Sequence, residues 1–263
     1  MRLLPILALF TAFAATAPRN AAAEVSSQMP RSMAIACKSR TVCAKLSGMI
    51  RWEDADRLSE MVSAVAKRVK EPAKDKIGIL LVLDTGGGSV AGAMRIGRML
   101  RAHGGVALVE NGNVCASACV FVLMGATQRR VSPGGQVEIH RPYTAVAESV
   151  SVEERQHAYK LNRDAMRAYL DEMNIPPELL TAMEDVPPEK SRLLNEREVQ
   201  AYRLGRDDPV WEESRAAADA KRYGITMGEY YRRKARTETV CRSLGADLQA
   251  YAQCRLDVMN GKR

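Results

Sequence analysis

A serine between small residues, a histidine closing an apolar run and a glycine-rich turn lie within one 57-residue stretch, from Asp84 to His140. The serine is Ser117, in Cys115-Ala116-Ser117-Ala118-Cys119. Small neighbours leave room for a substrate to approach. An apolar helix opening just after the serine presents N–H groups that favour a negative charge, and the N–H of Ala118 is a natural oxyanion donor. The same serine also suits a helix N-cap. His140 ends the run VEIH, where an imidazole can reach a neighbouring loop and act as general base, or serve only as a structural side chain. The turn DTGGGSVAG lets the backbone approach a ligand closely, with a helix N-terminus behind it. It is neither a GxxxxGK[ST] phosphate loop nor a GxGxxG fingerprint. Hydroxyl, imidazole and amide cradle together suggest acyl transfer.

These groups need elements to position them. Ile77 to Leu83 is a continuous apolar run, which predicts a strand buried on both faces. Asp84 to Gly88 predicts a tight turn, and Ser89 to Ala102 a helix ended by His103-Gly104-Gly105. Shorter strands are expected at Lys45–Ile50, Val106–Val109 and Gln136–Ile139. Helices are expected over Trp52–Val69, Ser117–Met124 and Ser151–Met173, with Asn195 capping another through Tyr202. Two Pro-Pro pairs, at 176–177 and 187–188, mark loops. From Asp207 onward the chain is charged and helical. Strands alternating with helices over 45–140 indicate an α/β domain.

The 263 residues allow one large domain or a domain with an appendage. Hydrophobic residues at 46% and charged residues at 27% are ordinary for a globular chain. Aromatics at 5% are too few for a nucleic-acid stacking platform, and no basic stripe is visible, so nucleic-acid binding is not expected. Residues 1–23 join Arg2, the apolar run Leu3–Ala17 and the small residues Ala21-Ala22-Ala23, the layout of a cleaved secretory signal. The run is shorter than the ~20 residues that span a bilayer as a helix, and an uncleaved anchor is the rival reading. Loss of Arg2 and Arg19, with no acid among these residues, takes the net charge from +8 to +6. Residues 24–44 are expected to form a leader. Periplasmic or secreted localisation follows.

Six cysteines behind such a signal point to disulfides. Six allow 15 pairings, and spacing favours the local pairs Cys37–Cys43, Cys115–Cys119 and Cys241–Cys254. Zinc is not expected: there is no C-x2-C pair, and none of His103, His140 and His157 has ligand spacing to a cysteine pair.

Gly86-Gly87-Gly88-Ser89-Val90 before a helix, then small-Ser-small opening a second helix, then V-E-I-H-R-P, resembles the Clp-type serine proteases of the crotonase-like superfamily. More narrowly, the chain is similar to secreted, periplasmic Clp-like predicted proteases of bacteria. The resemblance covers about 45–205. It implies an α/β core of repeated β-β-α units; the signal segment, the cysteine pair around Ser117 and the helical C-terminal extension, 206–263, depart from the family. By this resemblance Ser117 matches the nucleophile and His140 the base. Gly88 and Ala118 match the oxyanion-hole residues, and Asp185 is the nearest match to the third catalytic residue. Peptide or protein substrates, membrane-associated ones among them, and a homo-oligomer are implied; no cofactor is. Two rivals remain. Lys160 lies where a related Ser–Lys branch of signal-peptide peptidases carries its base. The fold could also persist as an envelope binding or scaffold protein with Ser117 unused.

Overall fold

The computed structural model describes residues 24–26, 40–69, 77–143, 150–245 and 247–262. Residues 1–23, where a signal segment is expected, and Cys37 lie outside them. Eight strands are described: β1 (Glu24–Ser26), β2 (Thr41–Ile50), β3 (Gly78–Gly88), β4 (Val106–Val109), β5 (Val114–Ala116), β6 (Gln128–Val131), β7 (Gln136–Ile139) and β8 (Arg192–Leu193). The helices of the first part are α1 (Asp54–Arg68), α2 (Val90–Ala102), α3 (Cys119–Gly125), α4 (Val152–Glu172), α5 (Glu178–Glu184) and α6 (Glu196–Ala201). Three more follow: α7 (Pro209–Tyr223), α8 (Met227–Val240) and α9 (Leu248–Met259).

β3 is the spine. On one side it pairs in parallel with β2 along its whole length. On the other it forks. Leu80–Val82 pair with β4, and β4 pairs with β6. Further along, Thr85 pairs with Cys115 of β5, and β5 pairs with β7. Each strand pair is followed by a helix: β4, β5 and α3, then β6, β7 and α4. This is the repeated β-β-α core expected from the sequence. Parallel neighbours and covering helices bury β3 on both faces, which is why Ile79 to Leu83 reads as an unbroken apolar run.

Several expectations needed correction. The glycines after Asp84 do not turn the chain; they extend β3 to Gly88, opposite Met49 and Ile50 of β2. Thr85 makes this possible. Its hydroxyl accepts the N–H of Gly87 at 3.1 Å and donates to the carbonyl of Gly48. β2 begins at Thr41 rather than Lys45. The helix expected from Ser117 begins at Cys119. Within the leader, Glu24–Ser26 pairs antiparallel with Lys45–Ser47. β5, β6 and α5 were not expected. Ser151 and Asn195 do cap α4 and α6, each in a full capping box.

The packing behind the site is close. A Cβ on Gly125 would lie 2.2 Å from the Cα of Gly97, so α3 and α2 meet backbone to backbone. The buried hydroxyl of Tyr169 on α4 donates to the carbonyl of Phe121 on α3 at 2.8 Å, fixing α3 from outside. Burial pushes that phenol well above its ordinary pKa, so it stays a donor.

The C-terminal helices have a small core of their own around Ala216, Ala220, Tyr230 and Met259. The Cys241–Cys254 disulfide ties α8 to the returning α9, as the spacing suggested. The joint to the rest of the protein is polar. Asp208 caps α7 by accepting the N–H groups of Val210 and Trp211. Its other oxygen accepts from Arg101 and Asn174, each at 2.9 Å. Arg129 lies 3.6 Å from that oxygen and donates to the carbonyls of Met124, Met173 and Arg203. Arg129 is 0% exposed and Asp208 1%. Burial pulls the Arg129 guanidinium down to about 10. Burial pushes Asp208 up, but its hydrogen bonds from Asn174, the Trp211 N–H and Arg101 outweigh this and hold it below the usual carboxylate range.

Candidate active site

Ser117 stands between the end of β5 and the start of α3. Its φ of 55° is in the left-handed region, costly for a residue with a Cβ and typically found where surrounding structure enforces it. Asn174 and Arg203 share that conformation, but both follow helix ends, where it is common. The Ser117 hydroxyl does not cap α3. The N-cap is Ala118, with no side-chain cap bond. The capping role open to this serine is therefore not taken, and among the described residues its hydroxyl makes no hydrogen bond.

Three constraints hold the turn. The Ser117 N–H donates to the carbonyl of Glu138 on β7 at 3.0 Å. The Cys115–Cys119 disulfide brackets the serine by two residues on each side. Gly87 presses on it: a Cβ there would lie 2.8 Å from the Ser117 Cβ and 3.0 Å from the Ala118 nitrogen. With φ at 108°, Gly87 also occupies a conformation that only glycine adopts easily. Gly87→Ala is therefore expected to reduce reactivity at Ser117 at least tenfold and to destabilise the protein by about 1–3 kcal/mol. Thermal melting and the rate of active-site labelling measure the two effects.

The closed loop of the Cys115–Cys119 bridge is short, so it stabilises the whole chain by only about 2 kcal/mol. Its larger consequence is local. Cys115→Ala with Cys119→Ala is expected to lower kcat more than tenfold while shifting KM little, because the turn relaxes towards ordinary backbone angles. Steady-state kinetics at matched folded fraction checks this. Of the remaining bridge, Cys43 is disulfide-bonded, and Cys37 lies outside the described residues.

His140 follows the last residue of β7. The parallel register pairs Ala116 with Glu138, so Ser117 and His140 leave the same ends of adjacent strands. The His140 Nδ1 lies 2.9 Å from the Arg141 carbonyl. With its proton on Nδ1, the ring donates there and Nε2 is left as an acceptor. Tyr143 stacks near the ring at 6.3 Å between centroids. Among the described residues no hydrogen bond joins His140 to Ser117; such bonds are often long without substrate.

Asp185 is exposed and follows α5. The residues on either side of it hold Arg141: Val186 accepts the Arg141 N–H at 2.8 Å, and the Glu184 carbonyl accepts its Nε at 2.7 Å. Asp185 thus lies beside the segment that carries His140, but no hydrogen bond between the two is described. Gly88, opposite Ile50, follows Gly87 directly, so the Gly87–Gly88 peptide runs beside Ser117. The Ala118 nitrogen is buried, and among the described residues nothing accepts its proton. A buried N–H without a partner is uncommon and marks a place where an acceptor can arrive. Lys160 is exposed on α4.

Sequence reasoning did not single out Gly87, Thr85 or Arg141. The only available sign was a threonine followed by three glycines at the end of a buried strand.

A family model for Clp protease matches residues 28–181, more than half of the chain. The chain belongs to the Clp protease family. Serine-peptidase chemistry at the general level comes with that membership. Two solved structures resemble this Clp-family chain. One is a serine-to-alanine mutant of the 1510-N membrane-bound stomatin-specific protease, at 17% identity and a TM-score of 0.47, covering 62% of this chain and 76% of the other. The second is a ClpP1 point mutant from Listeria monocytogenes, at 17% identity and a TM-score of 0.48, covering 66% and 92%. No curated protein matches. Among the described residues, no helix is long and apolar enough to cross a membrane.

Proposed function

We propose that this Clp-family protein is a secreted or periplasmic serine peptidase in which Ser117 is the nucleophile and His140 the base. The observation that carries the reading is the shared exit of Ser117 and His140 from adjacent parallel strands, pinned by the bond from Ser117 N–H to the Glu138 carbonyl. The hydroxyl of Ser117 attacks the scissile carbonyl carbon while its proton passes to His140 Nε2. The Arg141 carbonyl fixes the ring tautomer, with Asp185 as the nearest acid. The Ala118 N–H and the amide of Gly88 receive the oxyanion; losing one such donor costs about 3 kcal/mol of transition-state stabilisation. The imidazolium then protonates the leaving amine, the C–N bond breaks, and water hydrolyses the acyl-enzyme by the reverse relay. Peptide or protein substrates, some membrane-associated, and assembly as a homo-oligomer are part of the proposal.

A fluorophosphonate probe tests it. Labelling is expected at Ser117, with loss in Ser117→Ala and His140→Ala but retention in Lys160→Ala. Labelling that survives His140→Ala and disappears in Lys160→Ala would assign the base to Lys160. A folded protein that takes no label at all would point to a binding or scaffold role.

A further inference from the structure

An open cleft of about 610 Å³ is lined, among the described residues, by Arg141, the residue after His140, and by Tyr159, Lys160, Arg163 and Glu184. Three cations face one acid. Glu184 is already engaged: its carboxylate accepts from Arg163 through Nε at 2.6 Å and Nη2 at 3.3 Å, and from the Tyr159 hydroxyl at 3.4 Å. The hydrogen bond with Glu184 raises the Arg163 pKa. Burial, with Glu184 next, raises that of Tyr159, so both remain donors to this pair. Arg163 and Glu184 therefore neutralise each other.

Arg141 and Lys160 are left over. The Arg141 stem is anchored by its backbone N–H on Val186 and its Nε on the Glu184 carbonyl. Among the described residues neither terminal nitrogen of Arg141 makes a hydrogen bond, and the Lys160 ammonium makes no hydrogen bond or ion pair. Two positive charges thus line one cleft with no direct acidic partner among the described residues. Their place is specific, because the Cα of Arg141 is only about 3.8 Å from that of His140. A peptide held at His140 needs only one or two further residues, at roughly 3.5 Å each, to span the distance to the Arg141 backbone. An anchored guanidinium with both terminal nitrogens open is suited to a planar carboxylate, and an ammonium beside it adds charge without directional demand.

We infer that this cleft binds a carboxylate of the substrate, from an acidic side chain or a free C-terminus near the scissile bond. The inference rests on the peptidase reading, and its test separates the two. Quenched peptides differing only by Glu or Gln at each position around the cleaved bond are compared with a pair differing by a free or amidated C-terminus. One carboxylate-bearing member is expected to show about tenfold higher kcat/KM at low salt, falling as salt screens the exposed charges. Preference at an internal position identifies an acidic side chain; preference confined to the free acid identifies the terminus. The ratio is expected to fall towards one in Arg141→Gln and to invert in Lys160→Glu. Equal rates for every pair, or a preference untouched by both variants, would overturn the inference while leaving Ser117 labelling intact. The same pairs are titrated by anisotropy against Ser117→Ala, which needs no turnover. Equal Kd values there would overturn the inference even if the protein proves not to be a peptidase.

Discussion

Replacing His140 with alanine is expected to lower kcat by about 10⁶-fold, the scale seen when a hydroxyl nucleophile loses its imidazole partner. The fold should barely notice. His140 is half-buried, and the one hydrogen bond its ring makes among the described residues, to the Arg141 carbonyl, is local. Backbone contacts hold its segment in place: Arg141 N–H on Val186, and the pairing of β7 with β5. The melting temperature is accordingly expected to move by less than about 2 °C, a surface-like effect of ~0.5 kcal/mol. Steady-state hydrolysis and thermal melting on the same preparation make the comparison. A rate loss of only a few-fold would remove His140 from the chemistry. A large loss accompanied by a large drop in stability would make it structural instead.

The largest effect on stability is expected at Asp208. Its carboxylate caps α7, bonds Arg101 and Asn174, and faces the fully buried Arg129. Asp208→Ala leaves a buried guanidinium without its counter-charge, a change that costs about 3–5 kcal/mol. For a chain of this length that is a fall of roughly 10 °C in melting temperature. The pH dependence has a definite sign. Asp208 is held below the usual carboxylate range. The stability it contributes is therefore present above the ordinary carboxylate pKa and lost as pH falls through its own lower value. The gap between wild type and Asp208→Ala should be full at pH 7 and begin to narrow only below about pH 4. A gap under 2 °C at pH 7 would show that the C-terminal helices are attached by something other than this polar joint.

The core was legible in the sequence where burial is two-sided. Ile77 to Leu83 announces a strand because nearly every side chain in it is buried, Leu80 partly so, and Ser151 and Asn195 announce helix starts because a cap is a local device. β6 was invisible for the opposite reason. Its Gln128-Arg129-Arg130 reads as surface, yet Arg129 is buried, satisfied by three carbonyls and Asp208 from distant elements. No window of sequence contains those partners. The glycines after Asp84 misled in another way. Three in succession signal a turn, but here they let β3 continue into the fork, where Gly87 meets Ser117 at a distance no Cβ would permit. For the candidate site, the proposed roles of Ser117, Ala118 and His140 rest on residue types and order already present in the sequence. That the Arg141 carbonyl faces the imidazole was not, since it depends on the backbone path just beyond β7.

The central claim is that the hydroxyl at 117 and the imidazole at 140 form one reacting pair. A crystal structure of the protein phosphonylated by the fluorophosphonate probe measures it directly. The account predicts the adduct on Ser117, its phosphoryl oxygen on the Ala118 N–H, and His140 Nε2 about 3 Å from Ser117 Oγ. An adduct on another residue, or an imidazole more than twice that far from Ser117 Oγ and turned away from it, would contradict the account.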